Sequence, residues 1–239
     1  MSSNVPYDAH CHLEQIITNE STYRAIAAVT KNDWSKLVTY RELQPTVKIG
    51  FGIHPWHVDS GSSTNELEEL LRAKIQLHQP NFIGETGLDA LKPDLDLQLE
   101  YLNIHLKLAQ EFNLPIVLHC VRAHNQLLQT LGNYSQIRGM IHAYNGNADT
   151  AKQYRRKNMQ LGIGSTILNP TSQLSKSISH IPLKQLLIES DAPYMPQVNQ
   201  LTSSSDDCVI YATELAHCQQ KNLTEVISEV NQNWLHLFS

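Results

Sequence analysis

The segment Val5–His12, V-P-Y-D-A-H-C-H, constrains this chain more than any other, because it sets Asp8, His10 and His12 at alternating positions of a β-type run. Alternate residues of a strand project to one face, so the carboxylate and both imidazoles converge on the same side. Two imidazoles at i and i+2 with a carboxylate beside them form half of a divalent-metal site. Complementary groups recur downstream: Glu85, His119, His142 and Asp191 each end a short apolar run that reads as a strand. A metal cup at the mouth of a barrel satisfies that pattern.

Strand and helix signals alternate along nearly the whole chain. Eight runs have strand character: Val5–Cys11, Ala25–Val29, Val47–Ile53, Phe82–Glu85, Ile116–His119, Met140–His142, Met159–Ile163 and Leu186–Glu189. Amphipathic stretches of helix length lie between them. In Asp94–Phe112, Leu95, Leu99, Leu102, Leu106 and Ala109 recur at helical spacing. Asp206–Gln219 and Leu223–Phe238 read as C-terminal helices, the second opened by Asn222 as N-cap. The expected fold is α/β, a (β/α)8 TIM barrel. The length of 239 residues suits one domain, since such barrels run to about 250 residues. No linker or repeat interrupts residues 1–239, which read as a single unit.

Composition narrows the class further. The hydrophobic fraction of 41% and charged fraction of 17% are those of an ordinary globular chain, and no apolar run approaches the roughly 18 residues that span a bilayer. The N-terminus lacks a basic, apolar leader, and the H-x-H pair begins so early that cleavage of one would remove it. The expectation is a cytoplasmic protein with no membrane association and no obligate protein partner. Cys11, Cys120, Cys208 and Cys218 form no C-x-x-C pair and read as reduced thiols. A net charge of −5 rules out a general basic surface for a polyanion. The local cluster Lys152, Arg155, Arg156 and Lys157 sits at an expected helix C-terminus, where it complements the helix dipole.

In barrels of this type the C-terminal ends of the strands carry the site. His12, His54, Glu85, His119, His142 and Asp191 all fall at or just past expected strand ends, and chance would scatter them. Asp8, one pleat deeper than the H-x-H pair, suits either a supporting partner or a buried structural acid. Glu14, Trp56 and His57 read as rim or packing residues. His78, His105, His180, His217 and His236 lie away from strand ends and read as surface or helix-packing histidines.

The motifs D-A-H-C-H-L (Asp8–Leu13), G-I-H-P (Gly52–Pro55), I-G-E-T-G-L-D (Ile83–Asp89), L-P-I-V-L-H (Leu114–His119), I-H-A-Y-N-G (Ile141–Gly146) and E-S-D-A-P-Y-M (Glu189–Met195) resemble, in order and over nearly the full chain, the TatD family of metal-dependent hydrolases. The resemblance implies metal-dependent hydrolysis, with DNA 3'-exonuclease activity the best-known chemistry among members. It also implies two adjacent divalent ions, one held by His10, His12 and Asp191 and the other by His119 and His142, with Glu85 bridging them. Zinc, manganese, magnesium, nickel or iron would be the cofactor, one or two ions per chain, activating a water for attack. Asp191 would stand between ligand and general-base roles. His54, at a strand end with no assigned ion, is expected to contact substrate phosphate or to orient a ligand.

Three departures from the family pattern bear on substrate. The family's H-x-R becomes H-C-V-R, with Val121 at the arginine position and Arg122 one residue later; Arg122 is therefore the candidate phosphate contact. H-C-F-S-G becomes H-A-Y-N-G, and the loop after Asp191 lacks the Asn-x-Pro element. DNA or another phosphoester is the expected substrate partner. The motifs leave open another hydrolase on the same scaffold, acting on a phosphate monoester or on an ester or amide such as an aminoacyl bond, and a non-catalytic metal-binding protein.

Overall fold

In the computed structural model, which describes residues 5–13, 23–61 and 63–239, eight parallel strands are hydrogen-bonded side by side in chain order. The first half contains β1 (Asp8–Cys11), β2 (Arg24–Ala27), α1 (Asp33–Leu43), β3 (Lys48–Phe51), α2 (Thr64–His78) and β4 (Phe82–Asp89). The second half runs α3 (Leu95–Glu111), β5 (Ile116–Val121), α4 (His124–Leu131), β6 (Gly139–Ile141), α5 (Ala148–Arg156), β7 (Met159–Ile163), α6 (Gln173–Ser177) and β8 (Leu186–Ile188), then α7 (Cys208–Cys218) and α8 (Leu223–Phe238). This is the expected TIM barrel. Each parallel neighbour needs a crossover, and the helices supply most of them. No helix among the described residues is long and apolar enough to cross a membrane.

Residue alternation divides the core in two. Ala25, Ala27, Phe82, Val117, Met140 and Leu187 form an inner cluster with Trp234, Leu237 and Phe238 of α8. Their strand neighbours Ile26, Ile83, Ile116, Leu118, Ile141 and Ile188 join the larger core beneath the surrounding helices. Leu102, Leu106 and Ala109 of α3 are buried there, and Leu95 and Leu99 pack at its edge, as the helical spacing predicts.

Two strands break the alternation where function needs it. In β1, Asp8 is opposite Arg24 but Cys11 is opposite Ile26, and in β4, Ile83 is opposite Ile116 but Thr86 is opposite Leu118. Each offset is one extra residue, a bulge, and a bulge reverses which face the following side chains take. Ala9 and Phe82 therefore lie in the inner cluster while His10, His12 and Glu85 also turn inward. Glu85 would otherwise share the face of Ile83.

Several boundaries differ from the sequence expectation. The fourth strand does not end at Glu85 but continues to Asp89. Gly87 makes the extension possible, because a Cβ there would lie 2.0 Å from the carbonyl oxygen of its register partner His119. The first strand is confined to Asp8–Cys11. The expected helix from Asp206 begins as a 3-10 turn, Ser205–Asp207, closed by reciprocal capping of Ser204 and Asp207. The last helix matches its expected limits, and Asn222 Oδ1 accepts the Thr224 N–H at 2.9 Å. Glu14 lies outside the described residues.

Candidate metal centre

His10, His12, His54, Glu85, His119, His142 and Asp191 are all buried, and their donor atoms meet in one cluster centred on Glu85. His10 Nε2 lies 3.3 Å and His12 Nε2 3.4 Å from Glu85 Oε2. The same two nitrogens lie 3.5 and 3.4 Å from Asp191 Oδ1. The other carboxylate oxygen, Glu85 Oε1, is 2.8 Å from His142 Nε2, 2.9 Å from His119 Nδ1 and 3.2 Å from His54 Nε2. His119 Nδ1 is also 3.0 Å from His142 Nε2 and 3.2 Å from His54 Nε2. The backbone sets this arrangement: Asp191 donates its N–H to the His10 carbonyl at 2.9 Å, and His12 donates to Ala192 at 2.7 Å.

The donor set fits divalent ions better than it fits hydrogen bonding among its members. An imidazole nitrogen carries one hydrogen or one lone pair, yet His119 Nδ1 faces Glu85, His54 and His142 at once. His10 Nε2 and Asp191 Oδ1 are buried with no hydrogen-bond partner, a costly state for either group. Edges of 3.3 to 3.5 Å around the first group match the roughly 3.4 Å edge of a tetrahedron with bonds near 2.1 Å. The second group is tighter.

Charge is strongly coupled within the cluster. Burial opposes ionisation of Glu85, but the imidazoles of His142, His54 and His10 outweigh it and hold its pKa well below the carboxylate range. Burial likewise opposes protonation of His10, which Glu85 and Asp191 nevertheless push well above the ordinary histidine value. Asp191 is held low, against the effect of burial, by His10 and His12. Burial lowers the pKa of both His54 and His142.

The surrounding residues sort differently from the sequence reading. Asp8 is wholly buried and its carboxylate faces Ser190 and Ser205 rather than the ligand cluster. His54 stands within the cluster itself, its Nε2 3.2 Å from Glu85 Oε1. His105 is a buried packing residue: its Nε2 accepts the Ile53 N–H at 3.1 Å, one residue before His54. Val121 lines the cup, whereas Arg122 is exposed and is not among the lining residues. Glu189 opens the E-S-D-A-P-Y-M motif but is not singled out by the sequence as a site residue; it lies just past β8, two residues before Asp191. It is fully buried, accepts the Ala143 N–H and lies 3.9 Å from His142 Nδ1. Burial pushes its pKa up to about 8.

The cup above the cluster has a volume of about 310 Å³. Its wall includes Val29, Trp56, Val121, Tyr194 and Met195, and no Lys or Arg lines it among the described residues.

A barrel with a buried histidine–carboxylate cluster at the C-terminal strand ends defines a metal-dependent hydrolase of the TIM-barrel class. The family model described as TatD related DNase matches residues 7–239, and the chain belongs to that family. It is 28% identical over 207 residues to an uncharacterized metal-dependent hydrolase, YjjV, of Escherichia coli K12, covering 79% of this chain and 80% of the relative. The crystal structure of that TatD homologue superposes with a TM-score of 0.87 at 24% identity, covering 98% of this chain and 97% of the other. A 3'-5' ssDNA/RNA exonuclease TatD of Pantoea vagans is 27% identical over 199 residues, covering 78% of this chain and 76% of the relative.

Proposed function

We propose that this chain hydrolyses phosphoester bonds as a nuclease, with two divalent ions held by the cluster around Glu85. His10 Nε2, His12 Nε2, Asp191 Oδ1 and Glu85 Oε2 would hold the first ion. His119 Nδ1, His142 Nε2 and Glu85 Oε1 would hold the second, with His54 Nε2 as a further donor. The observation that carries this reading is the division of Glu85: each of its oxygens faces a separate group of nitrogens. A donor set dominated by imidazole favours zinc, manganese, iron or nickel over magnesium.

When bound, the ions supply positive charge that makes a water acidic and polarises the bond under attack. The chain's own residues do the rest. Asp191 presents Oδ1 to His10 and His12, leaving Oδ2 to take the proton of the attacking water and return it to the leaving oxygen. Glu85 balances the charge of the ions. Glu189, fixed against the Ala143 N–H, maintains the backbone that carries His142. Residues 1–239 act as one unit, and the reading includes a cytoplasmic setting.

The name of the Pantoea relative supports single-stranded nucleic acid as substrate, degraded from its 3' end. That no lysine or arginine lines the cup among the described residues favours a second reading, hydrolysis of a neutral ester or amide. Incubation of the metal-loaded protein with 5'-labelled single-stranded DNA, phosphate monoesters and aminoacyl esters separates the two. Stepwise shortening of the DNA is expected; turnover of the esters with intact DNA would move the assignment to the second reading.

A further inference from the structure

Trp34 and Trp234 are buried, with exposures of 3% and 1%, whereas Trp56 is 55% exposed and lines the cup beside the donor cluster. The Trp56 side chain is nevertheless fixed. Its indole N–H donates to Asp89 Oδ2 at 2.7 Å. Asp89 is itself buried, accepts the Leu91 N–H through Oδ1 and has its backbone clasped by the Gln98 amide. Lys92 Nζ sits 4.1 Å from the centre of the indole. The ring meets His54 edge-on at 5.2 Å and His119 at 6.4 Å between centroids.

This arrangement uses up the one polar group of the indole and leaves aromatic surface at the cup. Exposing a large ring in a fixed position sacrifices the stability its burial would bring, and a ring without a free N–H recognises a ligand through its π face. The Lys92 ammonium takes up part of the ring's π surface, and the ligand would use the part that lines the cup, where the described residues include Val29, Val121 and Met195 and no Lys or Arg. Besides the metal centre, the described cup wall offers a substrate chiefly apolar and aromatic surface.

We propose that Trp56 is the platform against which a planar, uncharged ring of the substrate stacks, the ring being attached next to the bond that is cleaved. The assignment rests on the hydrolase reading above but holds for either type of bond: the ring is a nucleobase in a phosphoester and an aryl group in a carboxylic ester. Stacking of this kind tolerates any base, because each has a π face.

Two measurements test it. In the metal-free protein, thymidine should alter tryptophan emission and 2-deoxyribose should not, with the response lost in Trp56→Phe because the other two tryptophans are buried. In the metal-loaded protein, kinetics are compared for oligonucleotides ending in a 3'-thymidine or a 3'-abasic residue, and for phenyl and methyl acetate. Trp56→Ala should raise KM for the ring-bearing member of a hydrolysed pair at least about fivefold, with a smaller change in kcat and none for the ringless member. Trp56→Phe should retain most of the wild-type preference; Trp56→Leu replaces the alanine variant should that fail to fold. An emission spectrum indifferent to thymidine, or equal effects on both members of a pair, would overturn the platform while leaving the hydrolase reading intact. Thymidine binding at Trp56 without turnover of any substrate would contradict the hydrolase reading and leave the platform standing.

Discussion

Asp8 and Ser190 join the first strand of the barrel to the segment that follows the last through two hydrogen bonds: the Ser190 N–H donates to Asp8 Oδ1 at 2.9 Å and its hydroxyl to Oδ2 at 2.6 Å. The Ser205 hydroxyl adds a third at 2.6 Å. No ladder pairs β8 with β1 among the described residues, so this carboxylate, together with the backbone bonds of His12 and Asp191, closes the seam. The strand bearing the H-x-H pair is thereby fixed against the segment bearing Asp191.

Asp8→Ala should therefore unfold at markedly lower temperature than wild type. It strands the buried N–H and hydroxyl of Ser190 and removes the acceptor of the half-buried Ser205 hydroxyl, at a cost of about 2–4 kcal/mol. Asp8→Asn keeps an acceptor for the backbone, and the hydroxyls can reverse direction, so a smaller loss is expected. Thermal denaturation of the metal-free proteins measures both. Equal stability of wild type and Asp8→Ala would remove the seam role.

His105 gives a pH dependence of known sign. Burial lowers its pKa to about 4, below the roughly 6.5 of an unfolded histidine, so protonation favours the unfolded chain. Its contribution is fully present above about pH 6.5 and is lost as pH falls towards 4, up to roughly 3 kcal/mol. His105→Gln does not titrate. The stability gap between wild type and this variant, measured by urea unfolding, should shrink from pH 7 to pH 4.5; a constant gap would show that His105 is not held neutral by burial.

The barrel was legible because its strands carry the apolar runs and its site residues cluster at their ends. The seven side chains that the structure brings together around Glu85, His54 included, are all singled out by the sequence, and the match of Met159–Ile163 and Leu223–Phe238 to their expected limits reflects strong local patterning. The two bulges were not legible. Simple alternation puts Asp8 on the ligand face with His10 and places Ile83 and Glu85 together, whereas one extra residue in each strand changes the register. The role of His54 was hidden for a related reason: only the tertiary fold brings its Nε2 within 3.2 Å of both Glu85 and His119. Likewise, Trp56 looked like rim packing until its bond to Asp89 fixed its position.

Asp191→Asn keeps size and a coordinating oxygen but loses proton affinity at neutral pH. Turnover should fall on the order of 100-fold or more with metal content retained. Near-normal turnover at full metal content would exclude the general-base role, and parallel elemental analysis distinguishes it from simple ligand loss.

Arg122 and Val121 test how phosphate is read. Arg122 is exposed and Val121 lines the cup, so Val121→Arg would place a guanidinium where it can clamp two phosphate oxygens. A lower KM for a phosphoester is expected in that variant. Arg122→Ala should weaken phosphoester binding more than Lys157→Ala if the displaced arginine reaches the substrate. No effect from either change at this strand end, in folded and metal-loaded protein, would raise the neutral-ester reading above the nuclease.

The most direct test is elemental analysis of wild type and Glu85→Ala after reconstitution with zinc or manganese and removal of excess ion. Two equivalents per chain are expected for wild type, with loss from both positions in Glu85→Ala, because the two carboxylate oxygens serve separate donor groups. Two equivalents retained by a folded Glu85→Ala protein would contradict a metal centre bridged by Glu85.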